Sequence, residues 1–277
     1  MYMISFDKVK FKGNFRDYQQ RILDNCDRLL KDNKINIVAA PGSGKTILGL
    51  ELIRQFNSPC IILSPTTTIR QQWIDRFKNF FIDDEENINQ YCSYDLNSVT
   101  LINSITYQAL YAAINKLAIK DSTENIDYSD INLFKLMKEN RIKTICLDEA
   151  HHLQNEWQKA LEKFLEGLDK DVKIISLTAT PPYDAKPTEW NRYITTTGEI
   201  DEEIFIPELV KDGTLCPHQD YIYFNYPTEE EAKVFKTYRQ NCAKAIEEIG
   251  LLNYLKEMIP KIENIYRRES NYFYENY

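Results

Sequence analysis

The chain has 277 residues, 43% of them hydrophobic, with 8 glycines and a formal net charge of −8, which suits one large packed domain plus a smaller piece and excludes a disordered polymer. No apolar run reaches the roughly 18 residues of a membrane span, and Met1-Tyr2-Met3-Ile4-Ser5-Phe6-Asp7 lacks the basic-then-apolar order of a leader peptide. The chain therefore reads as cytoplasmic, with no membrane partner. Six cysteines, at 26, 60, 92, 146, 216 and 242, show no C-x-x-C and no paired spacing, which points to reduced thiols and away from zinc or a disulfide framework. Residues 1–100 carry 13 Lys and Arg against 12 Asp and Glu, and the remainder 21 against 30. That acidity argues against strong nonspecific polyanion binding by the whole surface and leaves room for a narrow track of hydroxyls and backbone N–H groups.

Residues 1–14 suggest at most an edge strand. Phe15-Arg16-Asp17-Tyr18-Gln19-Gln20 opens a segment with apolar residues at 18, 22, 23, 26, 29 and 30, the spacing of one helix. Gln19 either holds an adenine edge with its donor and acceptor amide or sits solvated on that helix. Ile35-Asn36-Ile37-Val38-Ala39 has the character of a buried parallel strand, and Ile47 to Phe56 has helical spacing. Between them lies Ala39-Ala40-Pro41-Gly42-Ser43-Gly44-Lys45-Thr46. Gly42 and Gly44 permit backbone conformations that turn successive N–H groups onto an anion at the positive end of a helix. In such a cradle, formed by Pro41 to Thr46, Lys45 reaches the β- and γ-phosphates and the Thr46 hydroxyl sits on Mg²⁺. Ala39 stands where the strict G-x-x-x-x-G-K-[ST] pattern has its first glycine.

Cys60-Ile61-Ile62-Leu63 is the next buried strand, followed by Ser64-Pro65-Thr66-Thr67-Thr68 and a helix over 69–80. Hydroxyls at that strand end can bind backbone phosphates or simply cap the helix. Residues 81–98 read as a polar surface loop, Val99 to Ile102 as a strand, and Ile105-Thr106-Tyr107-Gln108 as the start of a helix running to Lys116. Lys120 to Asp130 reads as a loop and Ile131 to Asn140 as a short helix.

Lys143-Thr144-Ile145-Cys146-Leu147 is a strand that ends in Asp148-Glu149-Ala150-His151-His152. Two carboxylates at a partly desolvated strand end are costly without a partner. Asp148 suits Mg²⁺ through its water shell, and Glu149 suits a proton-accepting role toward an attacking water. Adjacent histidines point in different directions, and without a third ligand they do not make a zinc site. After a helix over 157–168, the strand Val172 to Leu177 ends in Thr178-Ala179-Thr180-Pro181-Pro182. Alternating strands and helices predict an α/β fold with one doubly wound, mostly parallel sheet and helices on both faces.

Together, Phe15-Arg16-Asp17-Tyr18-Gln19, the Ala39–Thr46 loop, Ser64-Pro65-Thr66, Ile105-Thr106-Tyr107-Gln108, Asp148-Glu149-Ala150-His151 and Leu177-Thr178-Ala179-Thr180-Pro181 resemble the first RecA-like motor domain of superfamily 2 helicases and translocases. The Asp-Glu-Ala-His-His form and Ile206-Pro207-Glu208-Leu209-Val210-Lys211-Asp212-Gly213 look most like the branch of restriction-enzyme motor subunits and repair helicases, which mostly tracks along duplex DNA. The resemblance implies ATP and Mg²⁺ as cofactors, Gln19 with Arg16 at the adenine, Thr66 and Thr106 on a nucleic-acid backbone, and His151, Thr178 and Thr180 coupling nucleotide state to domain movement. It implies a motor domain over 1–227 and a second motor domain, elsewhere in a longer protein or on a partner chain.

Residues 228–277 differ in kind. Thr228-Glu229-Glu230-Glu231 is a capped, acidic helix start, and apolar residues at 232, 235, 238, 242, 245, 246 and 249 predict one buried face. In the family that position holds a helical spacer. A second helix over 251–259 and an aromatic end at Tyr266, Tyr272, Phe273, Tyr274 and Tyr277 follow. Nothing after Pro182 resembles the family's closing Gln-x-x-Gly-Arg stretch, so the chain on its own is expected to bind ATP and turn it over very slowly. The alternative is a nucleotide-gated binding module with little or no hydrolysis.

Overall fold

The computed structural model describes residues 5–248 apart from 31, 84–85, 121–124, 151–152, 154 and 218–224, and the chain divides into two compact units, Met1–Pro217 and His218–Tyr277. In chain order the strands are β1 (Lys34–Ala39), β2 (Cys60–Ser64), β3 (Cys92–Ser93), β4 (Ile102–Thr106), β5 (Ala118–Lys120), β6 (Asn125–Asp127), β7 (Thr144–Asp148), β8 (Lys173–Thr178) and β9 (Ile200–Ile204). The helices of the first unit are α1 (Asp17–Asp24), α2 (Cys26–Leu29), α3 (Lys45–Phe56), α4 (Thr67–Phe81), α5 (Tyr107–Asn115), α6 (Leu133–Glu139), α7 (Asn155–Glu166), α8 (Pro187–Thr197) and α9 (Ile206–Lys211). The main sheet has the order β3-β4-β2-β7-β8-β1-β9, and every pairing in it is parallel.

Alternation along each strand loads both faces. Cys60 and Ile62, Cys146, and Ile175 and Leu177 join Ile22 of α1, Leu48 of α3, and Trp73 and Phe77 of α4 in one core. Ile61 and Leu63, Ile145 and Leu147, and Ile174 join Leu110 of α5, Met137 of α6, and Leu161 and Phe164 of α7 in the other. Strands covered on both sides must be apolar at successive positions, which is why they appear as short continuous runs. Each such buried aliphatic or aromatic side chain contributes about 1.5–3 kcal/mol relative to exposure. The register then aligns the strand ends. Ser64 lies beside Thr106, Asp148 beside Leu177, and Val38 beside Thr178, so the motif residues following β1, β2, β4, β7 and β8 meet at one edge of the sheet.

The structure departs from the sequence reading in several places. Residues 6–8 form a 3-10 helix, and no described residue of 5–14 is in a strand. The single helix expected over 18–30 is broken at Asn25, whose Nδ2 donates to the Arg21 carbonyl at 2.7 Å and competes with the helix ladder. The strand expected over 99–102 is instead β4, because its polar residues find partners. Asn103 Nδ2 donates to the carbonyls of Cys60 and Thr100, both at 2.9 Å, and Ser104 Oγ donates to the Arg70 carbonyl. Part of the expected loop over 120–130 lies in the antiparallel pair β5–β6.

Several elements were absent from the sequence reading: a 3-10 turn over 88–90 and strand β3, with Tyr91, Cys92 and Leu96 buried inside the expected surface loop over 81–98, and α8, β9 and α9. Helix α8 begins with Pro187 at its first turn, a legible signal, whereas β9, Ile-Asp-Glu-Glu-Ile, owes its strand state to parallel pairing with β1.

In the second unit, α10 (Glu229–Glu248) begins at the expected Thr228, which donates to and accepts from Glu231. The face expected to be buried is exposed, with Phe235 at 60% and Tyr238 at 67%. The helix expected over 251–259 and the aromatic end lie outside the described residues. Among the described residues no helix is long and apolar enough to cross a membrane, and the cysteines are free, four of them buried.

Candidate functional site

The loop between β1 and α3 holds Gly42 at φ 81° and Gly44 at φ 83°, left-handed backbone that favours glycine. Gly44 occupies the N-cap of α3, and no side chain caps this helix. Its first-turn N–H groups are thus left to an outside acceptor. The carbonyls of Gly42, Ser43 and Gly44 are occupied. Arg16 Nη1 donates to the Gly42 carbonyl at 3.0 Å, the Tyr18 hydroxyl donates to the Ser43 carbonyl, and Gln19 Nε2 donates to those of Ser43 and Gly44 at 3.4 and 3.2 Å. Arg16 Nη1 also donates to Tyr18 Oη at 2.8 Å, and Gln19 Oε1 accepts the Arg16 N–H. Three side chains at the start of α1 therefore grip the loop by its carbonyls. A Cβ on Gly44 would lie 2.7 Å from Gln19 Nε2, and one on Gly42 3.2 Å from Leu215 Cδ2. Pro41 is exposed, whereas Ser43 is buried with its Oγ unpartnered among the described residues.

Lys45 Nζ donates to the Ala39 carbonyl at 2.8 Å and stands 3.9 Å from Glu149 Oε1. Burial pulls its pKa below the ordinary lysine value, opposed by the charges of Glu149 and Asp148. Thr46 is half-buried beside it. Asp148 is buried at the end of β7, with Oδ2 accepting from Trp73 Nε1 at 2.7 Å. Burial raises its pKa to about 6 against the Trp73 bond, which lowers it. A carboxylate so held gains from a neighbouring cation. Among the described residues no three carboxylates, histidines or cysteines cluster to cage a metal. One carboxylate plus one hydroxyl is a donor set that fits Mg²⁺, which usually keeps waters and phosphate oxygens as its other ligands.

Glu149 has φ 53°, an uncommon conformation for a non-glycine residue, while its N–H still reaches the Leu177 carbonyl at 3.0 Å. The turn sends its carboxylate back to β8, where Thr178 Oγ1 donates to it at 2.6 Å and the Ala179 N–H at 3.2 Å. Thr180 closes on the same cluster by donating its N–H to Thr178 Oγ1. Thr178 is buried, Thr180 is exposed, and His151 lies outside the described residues.

Thr66 and Thr106 stand apart from this group. Thr66 Oγ1 caps α4 by accepting the Ile69 N–H at 3.2 Å, and Thr106 Oγ1 caps α5 by accepting the Ala109 N–H at 3.1 Å. Thr66 is exposed and Thr106 buried. Sequence reading gave no role of their own to Tyr18, Trp73, Tyr107 and Leu215. The three aromatics are buried and Leu215, after α9, is half-buried, and only the fold shows where their polar or bulky ends arrive. Arg21 of α1 pairs with Glu208 of α9 at 2.9 Å and with Glu202 of β9 at 3.7 Å.

Over residues 12–183, more than half of the chain, the sequence matches the family described as "Type III restriction enzyme, res subunit". The DNA 3'-5' translocase XPB2 of Sulfurisphaera tokodaii is 25% identical over 181 residues, 65% of this chain and 34% of the translocase. The crystal structure of the Pyrococcus furiosus Hef helicase domain aligns at 17% identity with a TM-score of 0.49, covering 71% of this chain and 39% of that one. The UvsW helicase from bacteriophage T4 aligns at 15% identity with a TM-score of 0.47, covering 72% and 64%. The chain thus spans about a third of the length of the curated relative. By its family match and its parallel, doubly wound sheet, the chain belongs to the type III restriction enzyme res-subunit family and carries the first RecA-like motor domain of a superfamily 2 helicase.

Proposed function

We propose that this chain is the ATP-binding half of a cytoplasmic nucleic-acid-dependent motor that acts on duplex DNA with a second RecA-like domain. The observation that carries the reading is the uncapped start of α3 at Gly44, facing the side on which Lys45 comes within 3.9 Å of Glu149. Backbone N–H groups from Gly44 onward would hold the phosphates, and Lys45 would leave the Ala39 carbonyl for a phosphate oxygen. Asp148 and Thr46 would hold Mg²⁺, which would supply charge neutralisation on the phosphates. Glu149, fixed by Thr178 and Ala179, accepts the proton of the attacking water. Release of that proton-bearing carboxylate by Thr178 would move residues 178–180, the route we assign to coupling, a role we also assign to His151. Arg16 and Gln19 border the base side. A DNA backbone would run along the starts of α4 and α5, at Thr66 and Thr106; the name of the Sulfurisphaera relative, a DNA translocase, supports that substrate.

The arginine that neutralises developing charge would come from the second motor domain, and such a residue is worth about 10³ to 10⁵ in rate. Of the arginines after Pro182, Arg192 is already paired with Glu162 at 3.0 Å. Calorimetry should therefore find ATP·Mg²⁺ binding that Lys45→Ala weakens by about 10- to 100-fold, the worth of one hydrogen bond to a charged group. Steady-state turnover of the chain alone should be near zero with or without duplex DNA. Unchanged binding in Lys45→Ala moves the site elsewhere. Turnover near one per second, independent of protein concentration and lost in Glu149→Gln, refutes the need for a second domain.

A further inference from the structure

Asp148 is held from two sides by aromatic residues that belong to different helices. Trp73, buried on α4, donates Nε1–H to its carboxylate at 2.7 Å. Tyr107, buried at the first position of α5, donates its hydroxyl to the Asp148 main-chain carbonyl at 3.2 Å. These are the two helices whose N-caps are Thr66 and Thr106. From Thr66 to Trp73 is seven residues, about 10 Å of helix. Thr106 and Tyr107 are adjacent.

The indole is also clamped. A Cβ on Gly49 of α3 would lie 2.6 Å from Trp73 Cη2 and 2.7 Å from Leu177 Cδ1, so only glycine admits both the ring and Leu177 against α3 here. One side chain thus meets the helix behind the phosphate loop and the carboxylate assigned to the metal, while the same Gly49 is also approached by Leu177 of the strand carrying Thr178. A close-packed interior of this kind changes by discrete shifts of whole elements.

We propose that Trp73 and Tyr107 are positioning residues through which a nucleic-acid backbone at the starts of α4 and α5 sets the placement of Asp148. The proposal deepens the motor reading and rests on it. A strand lying across both helix starts would shift α4 and α5 relative to β7. The Trp73 and Tyr107 bonds would transmit that shift to the carboxylate and to its main chain. By linkage, the same two bonds must carry the reverse effect, from nucleotide to nucleic-acid affinity.

Trp73→Phe removes the N–H while keeping a ring, and Tyr107→Phe removes only a hydroxyl, which protects the test against loss of folding. On the full chain, measure the Kd of a non-hydrolysable ATP analogue with Mg²⁺ and with chelator, and the Kd of a 20-base-pair duplex with and without analogue and Mg²⁺. The expected result for Trp73→Phe is about a tenfold loss of affinity with Mg²⁺, the worth of one charge-assisted bond, and less than twofold with chelator. In either variant the nucleotide-dependent change in duplex affinity should collapse to within twofold of none, with duplex affinity in the absence of nucleotide unchanged. A merely structural role would lower both nucleotide affinities together. If wild type shows metal-dependent binding and duplex coupling and both variants retain them, the proposal is overturned while the motor reading stands. If wild type binds no nucleotide, or no duplex, the reading itself falls and takes the proposal with it.

Discussion

Three helices of the first unit follow parallel strands at the same edge of the sheet, and they begin differently. Helices α4 and α5 start under threonines whose hydroxyls accept the Ile69 and Ala109 N–H groups. Helix α3 starts at a left-handed glycine with no side-chain cap, behind a loop whose Gly42, Ser43 and Gly44 carbonyls are held by side chains from the start of α1. A helix start that satisfies its own donors is a structural junction; one that leaves them open, in a loop held rigid from behind, is built for a ligand. The contrast extends to the strand ends. Asn103 and Ser104 of β4 are fully engaged within the fold, whereas Asp148 of β7 carries a buried carboxylate whose only described side-chain donor is Trp73.

Converting the open start into a closed one should have the largest effect. Gly44→Asp places a carboxylate at the α3 N-cap, where it competes for the open donors and repels phosphates. A like charge about 4 Å away costs about 4 kcal/mol at the intermediate dielectric of a partly exposed site, so ATP affinity measured by calorimetry should fall by at least about 100-fold. Retention of wild-type affinity would mean that the donors of α3 are not the phosphate site.

The buried carboxylate gives the next effect. With Asp148 near 6 in the folded chain against 3.8 ordinarily, the folded state binds more protons than the unfolded state between those values. Its stabilising share is complete below about pH 4 and is lost as pH rises toward 6. Above that, ionised Asp148 costs about 3 kcal/mol in metal-free protein. Asp148→Asn should therefore raise stability at pH 7.5 in chelator by an amount of that order and flatten the urea-midpoint profile between pH 4 and 6. A variant less stable than wild type at pH 7.5 would contradict an uncompensated carboxylate.

Opening the closed starts should have the smallest effect. Thr106→Ala, at a buried cap, should cost about 1–2 kcal/mol of stability by urea unfolding, and Thr66→Ala, at an exposed one, about 0.5–1 kcal/mol. Neither should alter nucleotide affinity in the absence of nucleic acid. A loss of nucleotide affinity as large as that of Gly44→Asp would erase the distinction between the two kinds of helix start.

Much of this site was legible beforehand because its chemistry is local. Gly42, Gly44, Lys45 and Thr46 are contiguous, and a strand before with a helix after is enough to aim them. Asp148 and Glu149 announce themselves as adjacent carboxylates after an apolar run. The position of Gln19 was legible too, but the sequence had it facing a base or water, whereas its amide is engaged with Arg16, Ser43 and Gly44. Strand β9, with the pattern Ile-Asp-Glu-Glu-Ile, carries no buried-strand signal, and its pairing with β1 was invisible in one dimension.

By itself the sequence determined the parallel α/β architecture and the order of the motifs, since strand and helix periodicity and glycine's backbone freedom are properties of short segments. Tertiary structure alone decided which polar groups were left open. Trp73 reaches Asp148 across 75 residues, Tyr18 reaches Ser43 across 25, and Thr178 reaches Glu149 across 29. A hydrogen bond depends on distances of about 3 Å, and distances between segments far apart in the chain are set by how the two cores pack against the sheet.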